Sequence, residues 1–257
     1  MTNLSVNLNK VALMRNARGG SRPSVRRAAE ACIAAGARGI TLHPRPDGRH
    51  ALSADIDELK SWLPVELNVE GNPFAGPEMT DAYAFPGFME ILRRTRPAQA
   101  TLVPDSSGQR TSDHGWQLDE ATMDRLRPFV EELQAQGSRV SLFMEPDPAA
   151  IERAHALGAD RVELYTGPYA DAFAEGRVDD VLPAYVAAGE AASRLGLGLN
   201  AGHGLDLDNL GPFLEAVPNV LEVSIGQALV ADALHMGLGP AVEAYLSILH
   251  ATDSVSK

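Results

Sequence analysis

Four stretches of the chain repeat one pattern, a helical run that ends at glycine and passes at once into aliphatic or β-branched residues: AAGARGITLH (34–43), AQGSRVSLFM (135–144), ALGADRVELY (156–165) and RLGLGLNAGH (194–203). Glycine adopts the left-handed conformation that caps a helix, and the residues beyond it read as a strand, so each stretch predicts an αβ joint. Strand patterns also mark LSVNLN, VELNVEG, QATLVP and VLEVSIG. Together they predict strands starting near residues 4, 39, 65, 99, 139, 161, 197 and 220, mostly with helical patterns between them. Such alternation predicts the α/β class, as one (β/α)8 TIM-type barrel with additional helices over residues 1–257. A doubly wound open sheet is the alternative, but its glycine-rich dinucleotide turn is missing, because the first strand runs into NKVALMRNARGG. The stretch GNPFAGPEMTDAYAFPGF (71–88) reads as a long loop and a broken helix after the third strand.

Composition narrows the partners. With 257 residues and 45% hydrophobic content, one large core is within reach. The formal charge of -12 argues against a nucleic-acid or anionic-membrane surface, so any anion site has to be local. Lysine occurs only at Lys10, Lys60 and Lys257. Most of the positive charge is therefore arginine, which suits bidentate grips on phosphate. The single Cys32, on an apolar-periodic helix, reads as a packing thiol. No apolar run is long enough to span a bilayer, and the opening MTNLSVNLNK lacks signal-peptide features, so a cytoplasmic location is expected.

In a barrel the active site forms where strands end, and chemistry-capable residues accumulate there: Asn7, Asn9 and Lys10 on the first strand, His43 and Arg45 on the second with His50 beyond, Asn68 and Glu70 on the third. Period two places Asn7 with Asn9, His43 with Arg45, and Asn68 with Glu70 on common inward faces. Asp105, Thr111, Glu145, Glu163, Tyr165, Asn200, His203, Gly226 and Gln227 follow on later strands. For Asn68, Glu145 and Asn200 a structural role is as good a reading, and His155 and His250 read as structural or exposed. His43, Glu70 and His203 converge as proton carriers on one mouth. Two anion sites are expected. One is the Gly226 turn into a helix, with Gly202 and Gly204 beside it. The other is PRPDGRH, carrying Arg45, Arg49 and His50, with Arg15 and Arg18 in support; Arg49 reads as solvent-facing.

The blocks VNLNKVALMRNARGG, GITLHPRPDGRH, LNVEGNP, RVELYTGPYA, LNAGHGL and EVSIGQAL, in order from end to end, resemble the pyridoxine 5'-phosphate synthase family. The resemblance implies a homo-octameric barrel that condenses 1-deoxy-D-xylulose 5-phosphate with 3-amino-2-oxopropyl phosphate to pyridoxine 5'-phosphate, phosphate and water, with no metal and no organic cofactor. It implies His43 as proton acceptor, Glu70 as second acid–base group, His203 as proton donor and Glu163 as transition-state stabiliser. Asn7, Arg18, Gly204 and Gly226 match positions for the aminoketone phosphate, and Arg45, His50 and Thr111 positions for the sugar phosphate. The chain departs from the family at Asn9 and Lys10, where many members read Asp-His, and at Gln227, where histidine is expected; a neutral amide implies weaker phosphate affinity.

Three other readings compete. Lys10 is placed for a Schiff base, as in a class I aldolase. His43, Glu70, Glu163 and His203 match the ligand types of a metal-dependent isomerase or epimerase. A non-catalytic barrel that binds phosphorylated metabolites is the third. The segment DSSGQRTS is the candidate lid.

Overall fold

A computed structural model describes residues 1–80, 83–106, 109 and 111–255. Eight parallel strands close a barrel: β1 (Asn3–Asn7), β2 (Gly39–Leu42), β3 (Glu66–Gly71), β4 (Gln99–Leu102), β5 (Arg139–Met144), β6 (Arg161–Tyr165), β7 (Gly198–Gly202) and β8 (Val220–Ile225). β8 hydrogen-bonds back to β1, so the sheet has no edge. Strand starts fall within a residue or so of the expected ones. The open-sheet alternative is excluded by that closure. The four glycine joints are also real, with Gly36, Gly137, Gly158 and Gly196 all at positive φ.

The reason the sheet curls into a barrel is visible in β1 and β3. Leu4 and Val6, and Leu67 and Val69, face outward and are buried beneath the helices. Ser5 and Asn7, and Glu66, Asn68 and Glu70, face inward. Burying each outward aliphatic side chain contributes about 1.5–3 kcal/mol. Inside, polar side chains have to satisfy one another. Ser5 and Thr41 share a 2.7 Å hydrogen bond, Asn68 donates to Thr41 at 3.3 Å, and Thr101 donates to Asn68 at 3.0 Å. Asn68 is thus a structural member of the barrel interior. So is Asn200, which accepts from Arg161 at 3.1 Å.

Helices wrap the barrel: α1 (Asn9–Asn16), α2 (Val25–Ala34), α3 (Ser53–Lys60), α4 (Phe88–Thr95), α5 (Glu120–Ala135), α6 (Pro148–Leu157), α7 (Gly167–Ala174), α8 (Leu182–Leu195), α9 (Leu210–Ala216), α10 (Gln227–Met236) and α11 (Leu238–Val255). Their caps follow the sequence. Asp119 accepts from Thr122 N–H at 2.7 Å to start α5, and Asp147 accepts from Ala149 N–H ahead of Pro148 to start α6. The stretch expected as loop and broken helix holds a small hairpin, Glu78–Met79 against Ala84–Phe85, ahead of α4. Cys32 is fully buried and its thiol is pushed up to about 12 by burial, consistent with a packing role. His155 and His250 are exposed. Among the described residues no helix is long and apolar enough to cross a membrane.

Three helices are additional to the eight that alternate with strands. α1, α7 and α10 directly follow β1, β6 and β8, so each begins at the C-terminal end of the barrel. Their N-terminal turns, the positive ends of the helix dipoles, are delivered to the mouth.

Candidate active site

The mouth contains a cavity of about 350 Å³, within the size range of small-molecule sites. Its wall includes Asn7, Asn9, Lys10, His43, Arg45, His50, Glu70, Thr111, His203, Gly204, Gly226 and Gln227. Residues from distant parts of the sequence are thus gathered as expected, with two exceptions. Glu163 is fully buried beneath the floor, with Oε1 4.0 Å from His203 Nδ1. Arg18 sits on the exposed turn after α1 and does not reach the cavity wall.

His43 hangs from the end of β2. Its backbone N–H donates to Asn9 Oδ1 at 2.8 Å, and Asn9 N–H in turn donates to Asn7 Oδ1 at 3.0 Å. Asn9, gathered at the mouth as its strand-end position predicts, therefore anchors the acid–base histidine. The His43 imidazole lies between two carboxyl groups, with Nδ1 3.8 Å from Glu70 Oε2 and Nε2 3.6 Å from Asp105 Oδ2. Burial, then the nearby Arg45, His50, His203 and Arg49, hold it neutral, well below the ordinary imidazole range. His50 is pushed down to about 3 by burial and by Arg45 and Lys10.

Among the described residues Glu70 has no charged cation at contact distance. Asn7 donates to its Oε2 at 3.5 Å, and burial followed by the charges of Asp105 and Glu222 raises it to about 8. Glu163 is raised well above the carboxylate range by burial, Glu70 and Glu222. At neutral pH the mouth thus holds neutral carboxyls beside neutral imidazoles, so protons can move among them without leaving a bare buried charge.

His203 has φ +75, unusual for a residue with a Cβ. The Thr166 hydroxyl fixes this conformation by donating to the carbonyls of Gly202 at 2.5 Å and His203 at 2.7 Å. The ring packs on Phe143 and Tyr165 at centroid distances of 4.8 and 5.9 Å. Burial, with Arg45 and Lys10 behind it, pushes the ring down to about 4. Gly202 is required here, because a Cβ would lie 2.5 Å from Glu163 Oε1.

Two corners favour anions. At one, α7 and α10 point their first turns at the cavity through Gly167, Gln227 and Ala228. Gly226 at that corner leaves room for Asn7, whose Cβ would be 3.0 Å from an added side chain. At the other corner Lys10, Arg45, His50 and Thr111 share the wall. The Lys10 amine is lowered by burial and by Arg49 and Arg45. Arg45 Nε, His50 Nδ1 and Glu70 Oε1 on this wall, with Asp105 Oδ1 and Glu163 Oε2 behind it, are buried without a partner among the described residues.

Some holders of the site are not visible as such in the sequence. The Arg49 guanidinium, read as solvent-facing, donates with Arg45 to the Gln109 carbonyl. Asn16 donates to the carbonyls of Gly48, Arg49 and His50, at 2.9, 3.3 and 2.7 Å. Arg15, expected to support anion binding, forms a two-pronged pair with Asp55 instead. Glu145 accepts from Gly115 N–H at 2.9 Å and fixes the loop after β4. Of the candidate lid, Ser107, Gly108 and Arg110 lie outside the described residues. Among the described residues no group of three or more His, Cys, Asp and Glu is arranged to hold a metal ion.

Fold and mouth define a TIM-barrel protein whose open end gathers imidazoles, carboxyls and helix N-termini around one small-molecule pocket. A family model described as pyridoxal phosphate biosynthesis protein PdxJ matches residues 4–251, and the chain belongs to that family. A relative named pyridoxine 5'-phosphate synthase, from Xanthomonas oryzae pv. oryzae strain PXO99A, is 53% identical over 255 residues, covering 98% of each chain. Another of that name, from Xylella fastidiosa strain M23, is 49% identical, covering 99% of this chain and 96% of its own. Among solved structures, thiamine phosphate pyrophosphorylase from Pyrococcus furiosus superposes with a TM-score of 0.59 over 98% of this chain and 96% of its own; at 14% identity the likeness is one of fold.

Proposed function

We propose that the chain makes pyridoxine 5'-phosphate in vitamin B6 biosynthesis, by condensing 1-deoxy-D-xylulose 5-phosphate with 3-amino-2-oxopropyl phosphate. The observation that carries this reading is the set of buried polar atoms on the cavity wall that have no partner among the described residues. Arg45, His50 and Glu70 each contribute one, and a ligand in the cavity can complete all three. Family membership and the relatives' names supply the ligand class.

In this scheme the helix-lined corner, with Asn7, Gly204 and Gly226, takes the aminoketone phosphate. The corner of Lys10, Arg45, His50 and Thr111 takes the sugar phosphate, and Gln227 donates an amide hydrogen bond where a histidine would bring charge. Arg18 joins the aminoketone phosphate only by reaching over from its turn. The aminoketone's amine attacks the sugar ketone, and loss of water leaves an imine. His43 takes a proton from the bound skeleton, whose electrons stay with it to expel phosphate and close the ring; Glu70, protonated at rest, gives its proton to the skeleton and, once ionised, takes one back. His203, once it has received a proton released from the skeleton, passes it to the departing hydroxyl and returns to the neutral imidazole, and Glu163, 4.0 Å from its Nδ1, stabilises the ring while it carries that proton. Each step needs only proton transfer, so no cofactor enters. A homo-octamer in the cytoplasm belongs to the same reading, supported by exposed apolar side chains at Leu221, Leu234 and Met236; sedimentation velocity tests the assembly.

Incubating the purified protein with both substrates should release pyridoxine 5'-phosphate and inorganic phosphate, and the absence of both would refute the assignment. The lowered Lys10 amine also favours a lysine Schiff base. Borohydride trapping of a covalent adduct that disappears in Lys10→Ala would establish that reading instead.

A further inference from the structure

One buried carboxyl at the mouth has no part in the scheme above. Asp105, just beyond β4, is 8% exposed. Its Oδ2 accepts from the Arg45 guanidinium and, at 3.0 Å, from the Ser112 hydroxyl, and it lies 3.6 Å from His43 Nε2. Its other oxygen is buried without a partner among the described residues. A second cavity of about 290 Å³ shares His43 and Arg45 with the first and is also lined by Asp105. The Asp105–Arg45 pair therefore stands between the two spaces, touching the acid–base group on one side and the phosphate-binding arm on the other.

We propose that Asp105 is a positioning residue that couples phosphate binding at Arg45 to proton transfer at His43. The inference rests on the synthase reading of the same pocket. In the free site Arg45 and Asp105 neutralise each other. A phosphate dianion held by Arg45 and His50 draws on the same guanidinium donors and leaves more of the carboxylate's charge to face His43. Asp105 then favours the tautomer with hydrogen on Nε2 and keeps Nδ1, on the Glu70 side, as the accepting nitrogen. When Nδ1 takes a proton from substrate, the bonding pair stays with the substrate and the imidazolium faces a carboxylate. Sugar-phosphate binding thereby turns His43 into a better base only when there is something to deprotonate.

The charged and titratable groups facing His43 are Lys10 at the start of α1, Arg45, Arg49 and His50 on its own loop, Glu70 on β3, Asp105 after β4 and His203 after β7, with Glu163 on β6 behind His203. Of these, Asp105 is the one that also contacts Arg45. Asp113 and His114 lie near Asp105 and are exposed.

The test is the pH profile of kcat in Asp105→Asn, which keeps the side-chain volume and removes the charge. The expected result is a kcat at least about 10-fold lower, an acid limb displaced to lower pH, and no rise in KM for either substrate. A purely structural role would raise KM, lower the melting temperature and leave the limb in place. Ser112→Ala removes a donor from the same oxygen, so its acid limb should move slightly the other way, to higher pH. An unmoved limb in Asp105→Asn, or in Ser112→Ala should the first variant fail to fold, overturns the inference. Wild-type protein run in parallel separates the two ideas. No product from it refutes the synthase reading, whereas normal product with an unmoved variant limb refutes only the role of Asp105.

Discussion

Glu66 and Glu70 lie on the same strand and point into the same barrel, two inward positions apart, yet they behave oppositely. At the lower end Glu66 holds Arg139 in a two-pronged pair, one bond at 3.0 Å, and the guanidinium holds its carboxyl below the usual range. Arg161 nearby serves Glu222 and Asn200, and Gln99 donates to Glu222 at 3.1 Å. At the upper end Glu70 is buried with no charged cation in contact among the described residues and is raised to about 8. The lower end spends its charges on pairing and closes the barrel. The upper end leaves Glu70, His43 and His203 neutral and able to exchange protons, and the difference between the two glutamates lies in the partners supplied from neighbouring strands, since the residue type is the same.

The largest test of that contrast is activity. Glu70→Gln should lower kcat by about 10²–10⁴, the usual contribution of a positioned acid–base group, while Glu66→Gln should leave kcat unchanged. Steady-state kinetics on both variants decides it, and equal losses would erase the distinction.

Stability is the next scale. The folded protein keeps Glu70 protonated up to about 8, whereas the unfolded chain ionises near 4.5. The stability tied to the neutral form is complete below 4.5 and is lost as pH rises toward 8, by an amount on the order of 3–5 kcal/mol. Glu70→Gln, which cannot ionise, should melt about 5–10 °C higher than wild type at pH 9 and close to it at pH 4.5.

His203 runs the other way. The folded protein keeps it neutral down to about 4 while the unfolded chain protonates near 6.5, so stability is lost as pH falls through that window, on the order of 2–3 kcal/mol. His203→Asn, a residue that tolerates positive φ, should flatten the loss in urea melts at pH 4.5 to 6.5. A slope identical to wild type would mean that the imidazole is protonated in the folded state.

The smallest effect belongs to Glu66. Its side chain is 46% exposed, so Glu66→Gln should cost below about 1 kcal/mol, and the cost should shrink in high salt.

Most of the fold is legible in the residue pattern, because alternation and glycine caps are local signals. β1 and β3 alternate almost perfectly, and the joints at Gly36, Gly137, Gly158 and Gly196 carry their own turn chemistry. His43, Glu70 and His203 are legible for a related reason: they close strands whose inward face is fixed by period two. The supporting contacts are not legible. Asn16 gripping three carbonyls of the loop after β2, Arg49 reaching Gln109, and Asp105 spanning Arg45 and His43 depend on which loops meet across the mouth. Nothing in the residue pattern encodes that until the barrel closes. Glu66 and Glu70 show the same limit, since their partners appear only once the strand register is known.

The central claim, that the mouth works because its buried carboxyl is unpaired and protonated, is tested most directly by infrared titration of ¹³C-glutamate-labelled protein against Glu70→Gln. A protonated carboxyl band present at pH 7, fading near pH 8 and missing from the variant, is the predicted result. An identical protonated-carboxyl region in the two proteins from pH 6 upward, with only the Glu163 band in each, would show Glu70 already ionised and contradict it.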